Sequence, residues 1–181
     1  MKRGKSMERY VAFLRGINIS GKNKISMTEL KSEFEKAGFS EVSTYLNSGN
    51  VGFSSKIDDI EAVITKMLID KFGLSISAYV IKVEELKDIL SNSPIWWDSG
   101  KKEWYDNLIF ILSTDTPQEI CDLIGRPSSE LEMVKVYKNV IFWTFDRKLY
   151  QKCNWWKRTA TVGIAEKLTI RTANTLKKVV K

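Results

Sequence analysis

The chain has 181 residues, with 29 Lys+Arg against 22 Asp+Glu for a net charge of +7, and no histidine. Without imidazole, no Ser-His-Asp or Cys-His nucleophile, histidine zinc site or imidazole pH switch can be built from it. Two cysteines, Cys121 and Cys153, are too few for a disulfide scaffold or a four-cysteine zinc site, so no metal and no cofactor is expected.

Residues 1–7 are not followed by an apolar run of signal-peptide length, so no secretory signal is expected at this end. No stretch approaches the roughly 18 continuous apolar residues of a membrane span. Unpaired thiols then make the cytoplasm the expected compartment and a membrane partner unexpected. The positive charge is uneven: residues 1–24 sum to +6, residues 25–146 to −8 and residues 147–181 to +9. A chain basic at both ends suits an anionic partner, either a phosphate-bearing small molecule or nucleic acid. Solvated basic faces would give the same numbers.

Tyr10–Leu14 is a short apolar run that predicts a buried strand ending at Arg15-Gly16. Ser26-Met27-Thr28-Glu29 has capping-box spacing, and Met27, Leu30, Phe34 and Ala37 recur every three or four residues up to Gly38. Val42–Leu46 and Val51–Phe53 flank Asn47-Ser48-Gly49-Asn50, a hairpin signal. Ile57, Ile60, Ile64, Met67 and Phe72 predict a second amphipathic helix closed by Gly73, and Ile76–Val83 a fourth strand. The order β-α-β-β-α-β over residues 8–83 is the ferredoxin-like plan. A short helix over Glu84–Leu90 follows.

The order then recurs: a strand over Trp104–Leu112, a helix from Thr116-Pro117 through Ile124, and strands over Leu131–Tyr137 and Val140–Phe145. A helix within residues 157–167, a short strand over Leu168–Arg171 and a terminal helix over 173–180 complete it. The fold class expected is α/β (α+β), a ferredoxin-like subdomain over 7–90 joined by 91–103 to a second, similarly ordered α/β subdomain over 104–181.

Gly16-Ile17-Asn18-Ile19-Ser20-Gly21-Lys22-Asn23 has the spacing G-x4-G-K of a phosphate-cradling loop. Three features count against a true P-loop. Asn23 stands where a hydroxyl should meet Mg²⁺, the helix starts at Ser26 rather than at Gly-Lys, and the sheet is antiparallel. A looser anion-binding loop, with free N–H groups, Lys22 and Lys24, is still open. In the ferredoxin-like plan this loop lies at the same sheet end as the Asn47–Asn50 turn. The candidate ligand residues are therefore Arg15, Asn18, Lys22, Lys24, Asn47, Ser48 and Asn50, with Arg171 and Asn174 added if the basic C-terminal segment reaches this end. Tight turns need Gly and Asn for backbone reasons too.

The blocks Tyr10–Asn18, Gly21-Lys22-Asn23-Lys24-Ile25 and Thr44-Tyr45-Leu46-Asn47-Ser48-Gly49-Asn50-Val51 resemble a bacterial family, domain of unknown function 1697. Thr169-Ile170-Arg171-Thr172-Ala173-Asn174-Thr175 is similar to that family's T-x-R-N-W-N-T segment, with Thr172 for Asn and Ala173 for Trp. The resemblance implies a two-part α/β protein with no established activity, and places residues 1–6 ahead of the usual start as an arm.

Other groups have plainer readings. Arg171 precedes a helix start with Thr172 as cap. Cations around Cys153 would lower its pKa, but no base accompanies it. Trp155-Trp156-Lys157-Arg158 interleaves aromatic and basic residues as single-strand binders do, although adjacent tryptophans cannot share one face. Val51-Gly52-Phe53 is too short and uncharged for an RNA-binding RNP1 strand. Asp58-Asp59 and Glu84-Glu85 sit at helix starts, where the macrodipole accounts for them. Three classes stay open on the sequence: a protein binding an anionic, phosphate-bearing ligand, a small-molecule enzyme using a lysine at that site, and a basic module contacting nucleic acid or protein.

Overall fold

The computed structural model describes residues 6–181; of the arm expected over residues 1–6, all but Ser6 lies outside the described residues. The chain forms two compact units, one made of residues up to Lys87 together with Lys178–Lys181, the other of Asp88–Lys177.

The first unit runs β1 (Glu8–Leu14), α1 (Met27–Lys36), β2 (Ser40–Tyr45), β3 (Asn50–Ser55), α2 (Ile60–Phe72) and β4 (Ala78–Lys82). Its antiparallel sheet has the order β2-β3-β1-β4, the ferredoxin-like arrangement. Tyr10, Ala12 and Leu14 of β1 alternate toward the helices, meeting Leu30 and Phe34 of α1 and Ile64 and Leu68 of α2. Val11 and Phe13, on the other face of β1, are buried as well, which is why this strand reads as an unbroken apolar run. Aromatic rings fill the centre of the helix-side core: Phe39 and Phe53 lie 4.6 Å apart, Phe34 and Phe53 5.6 Å. Ser26 caps α1, its Oγ accepting from the Glu29 N–H, and α2 stops at Gly73, whose φ of 64° admits the left-handed turn.

A third helix, α3 (Val83–Ser91), follows β4. The second unit then repeats the plan with β5 (Trp104–Ile111), α4 (Pro117–Ile124), β6 (Glu132–Tyr137), β7 (Val140–Asp146), α5 (Asn154–Arg158) and β8 (Leu168–Thr172); α6 (Ala173–Val179) follows, its last two residues counted with the first unit. Its sheet order, β6-β7-β5-β8, is the same permutation. At α4 the capping box is complete: the Glu119 N–H donates to Thr116 Oγ1 at 3.2 Å and the Thr116 N–H to Glu119 Oε2 at 2.7 Å. Ile109, Ile120, Ile141, Trp143, Trp155 and Leu168 form the core beneath.

One element departs from the sequence reading. In place of a helix within 157–167, α5 occupies Asn154–Arg158 and the chain turns at Thr159–Gly163 before a 3-10 turn at Ala165–Lys167. A buried carboxylate causes the early start. Glu132, 5% exposed, accepts from the N–H groups of Trp155 at 3.0 Å and Trp156 at 3.2 Å, which answers the free donors of the first turn. The Thr159 hydroxyl donates back to the Trp155 carbonyl at 2.7 Å, and Gly163 adopts φ 86°, so the helix ends after little more than a turn.

Candidate functional site

The end of the first sheet assembles as its topology requires. The Leu14 N–H donates to the Gly49 carbonyl at 2.8 Å and the Arg15 N–H to the Ser77 carbonyl at 2.9 Å, so the β1–α1 loop, the β2–β3 turn and the entry to β4 meet. Only glycine fits at position 49. Its φ is 79°, and a Cβ there would stand 2.8 Å from Leu14 Cβ.

The β1–α1 loop is a small hairpin, not a helix-nucleating cradle. Ile19 and Lys22 pair across Ser20-Gly21, whose φ values of 49° and 75° are those of a two-residue primed turn. Lys22 therefore stands exposed at the hairpin rim, and α1 begins at Met27, which removes the P-loop reading. Two asparagines brace the hairpin with their side-chain amides. Asn18 Nδ2 donates to the carbonyls of Ile25 at 3.0 Å and Asn47 at 2.9 Å, while its Oδ1 accepts the Ile25 N–H at 2.9 Å. Asn23 Nδ2 donates to the Gly16 carbonyl at 2.9 Å. Both take positive φ, 53° and 48°, which asparagine tolerates better than most residues.

Between this loop, the turn and the start of α1 lies a pocket of about 520 Å³ lined by Asn18, Gly21, Lys24, Ile25, Ser26, Met27 and Asn47. No carboxylate lines it. Its charge comes from the Lys24 ammonium, which has no ion-pair partner among the described residues, and from the positive end of α1.

Of the residues singled out from the sequence, Asn18, Lys24 and Asn47 line this pocket, and Lys22 sits on the same hairpin. Ser48 Oγ accepts from Asn50 Nδ2 at 3.0 Å, and Asn50, fully buried, also donates to the Tyr45 carbonyl at 2.8 Å. Asn50 lines a different cleft of about 170 Å³, with Arg9, Ser43, Thr44, Tyr45, Gly52 and the C-terminal Lys178, Val179 and Lys181. Arg15 lines neither. Ile25, Ser26 and Met27 enter the pocket without having been singled out as ligand residues; the capping signal at Ser26 marked their helix start.

Arg171 and Asn174 belong to the second unit. Arg171 is not the solvent-facing cation of a plain capping site. Its guanidinium donates to Thr169 Oγ1 at 2.9 Å and the Ile170 carbonyl at 3.0 Å, and burial pushes its pKa down to about 10. Asn174 lines a small pocket of about 80 Å³ with Asp98, Tyr105, Asp106, Arg147, Thr172 and Ala173. Burial holds the Asp106 carboxyl above the usual carboxylate range, against the lowering effect of hydrogen bonds from the Thr144 hydroxyl and the Asp98 N–H. No sequence signal pointed to Asp106, because its setting comes from register: it faces Thr144 across the sheet.

Cys153 corrects another expectation. It is fully buried, and burial together with the neighbouring Glu132 charge pushes its thiol up to about 11, so the surrounding cations do not activate it. Cys121 is part-buried, its thiol also raised by burial. Among the described residues no group of three His, Cys, Asp or Glu is placed to hold a metal ion, and no helix is long and apolar enough to cross a membrane.

The solved structure of the conserved bacterial protein SP0830 from Streptococcus pneumoniae is similar over 97% of this chain and 98% of that one, with a TM-score of 0.79 and 29% sequence identity. No curated protein matches the chain. A family model described as protein of unknown function (DUF1697) matches residues 7–142, from β1 into the start of β7. The chain belongs to that family.

Proposed function

We propose that the protein binds an anionic, phosphate-bearing ligand at the sheet end formed by the Arg15–Lys24 loop and the Asn47–Asn50 turn. One observation carries the reading: the 520 Å³ pocket there joins a lysine to a helix N-terminus with no carboxylate in its lining. Anions gain from both, since the first N–H groups of a helix point outward and the Ser26 cap answers only that of Glu29. Lys22 and Lys24 would supply charge, and the α1 donors direction. Asn18 would position the loop rather than touch the ligand, because its amide is already engaged on three backbone partners. Enzymatic use of the site would need a proton donor or acceptor facing it, and Lys24 is the one titratable side chain in the lining. This reading places the protein in the cytoplasm, where its two unpaired thiols stay reduced.

The test is a melting-temperature screen against inorganic phosphate, nucleotides and sugar phosphates. A ligand present at 100 times its Kd adds about 2.7 kcal/mol of stability. At least one member of the panel should raise the midpoint, and Lys24→Ala should abolish the rise. No shift with any anion at millimolar concentration overturns the proposal.

A further inference from the structure

The basic aromatic segment of the second unit has no part in the pocket just described, and its architecture is specific. Five cations and no carboxylate fall within residues 147–158. The acid that precedes this segment and the one beneath α5 are both engaged by backbone donors. Asp146 Oδ1 accepts the N–H groups of Lys148 and Leu149, both at 2.8 Å, and Glu132 lies buried under α5, accepting from Ser128, Trp155 and Trp156. Lys148, Lys152 and Lys157 are exposed, and none has an ion-pair partner among the described residues.

The two tryptophans are divided as adjacent residues on a helix must be. Trp155 is 1% exposed and anchors α5, its indole N–H donating to the Gly125 carbonyl at 2.8 Å. Trp156 is 39% exposed, and the Tyr150 ring meets it edge to face at 4.7 Å. The backbone below is fixed as well: the Trp156 N–H is held by Glu132, and Asn154 Nδ2 donates to the carbonyls of Ile124 and Arg126. An exposed indole on a clamped backbone, among unpaired ammonium groups, is a surface for a ligand that is both flat and polyanionic.

We propose that this surface binds single-stranded nucleic acid, with Trp156 stacking on an unpaired base and Lys148, Lys152 and Lys157 meeting the phosphates on either side. A single strand fits better than a duplex because stacking on Trp156 needs a base whose face is free. It fits better than an acidic peptide because carboxylates alone would leave the indole unused. The clamped backbone lowers the ordering cost of binding.

The experiment is fluorescence anisotropy on the full chain with a labelled oligothymidylate of about 15 nucleotides, a duplex of the same length, and polyglutamate as competitor. Single strand should bind at low salt and bind more tightly than duplex. Trp156→Ala should weaken it about tenfold, Trp156→Phe much less. Lys152→Gln with Lys157→Gln should reduce the salt slope by about 1.4, at about 0.7 per phosphate contact. Lys22→Ala with Lys24→Ala should leave this binding intact, which separates it from the pocket of the first unit. The proposal falls if no single strand binds, if binding ignores both Trp156→Ala and the lysine pair, or if duplex or polyglutamate competes equally.

Discussion

Two connections do the same topological job in this chain and look nothing alike. In the first unit the central strand β1 passes to its helix through residues 15–26, and in the second β5 passes to α4 through residues 112–116. The short connection manages with Leu112-Ser113-Thr114-Asp115-Thr116, without glycine and without a positive φ. Asp115 there is tied to Lys167 at 2.6 Å, and that hydrogen bond, with one from Ser113, holds its carboxyl below the usual range. The long connection contains five left-handed residues, two unpaired lysines and a pocket. The β-α step by itself therefore needs neither the length nor the glycines. The second unit shows what the fold alone demands, and the excess in the first is what the proposed ligand site would account for.

Three substitutions sharpen this contrast. Gly49→Ala should have the largest effect. It forces a Cβ to within 2.8 Å of Leu14 Cβ at a φ of 79°, and a cost of about 3 kcal/mol is expected from urea unfolding. A loss below about 1 kcal/mol would mean that the turn does not depend on its close approach to β1. Asn18→Ala removes three hydrogen bonds and leaves alanine at φ 53°, for an expected cost of about 2 kcal/mol together with loss of the phosphate-induced melting shift. Stability lost with the shift retained would make Asn18 a brace for the fold alone. The smallest effect belongs to the hairpin tip. Replacing Ile19–Lys22 by two glycines removes only exposed residues and should change stability by less than about 1 kcal/mol while weakening anion binding. A large destabilisation would show that the loop's length serves the fold after all.

The fold was legible in the sequence where local signals agree with tertiary ones. The apolar run of β1, the cap at Ser26, the stop at Gly73 and the Thr116-Pro117 start each act within a few residues of themselves, and each element stands where those signals put it. The misplaced helix at 157–167 depended instead on Glu132, more than twenty residues upstream, whose buried carboxylate starts α5 early. The candidate site was half legible for the same reason. Topology brought the Arg15–Lys24 loop to the Asn47–Asn50 turn, as the two backbone hydrogen bonds from Leu14 and Arg15 record. What the side chains do there was not readable. Asn18 and Asn50 look like ligand contacts in a string of letters, but their amides hold the chain's own carbonyls. Asp106 gave no signal, because its burial is created by a strand that begins more than thirty residues later.

Glu132 has one more consequence. Helices as short as α5 normally fray, and their amides exchange with solvent on the timescale of local opening. Here the amides of Trp155 and Trp156 are held by a carboxylate on β6, and they can be released only if that buried charge loses its partners. Opening α5 therefore strips a buried carboxylate of two donors, so these two amide protons should exchange more slowly than those of an uncapped helix of this length. The most exposed aromatic ring of this segment would then ride on a helical turn held closed from below.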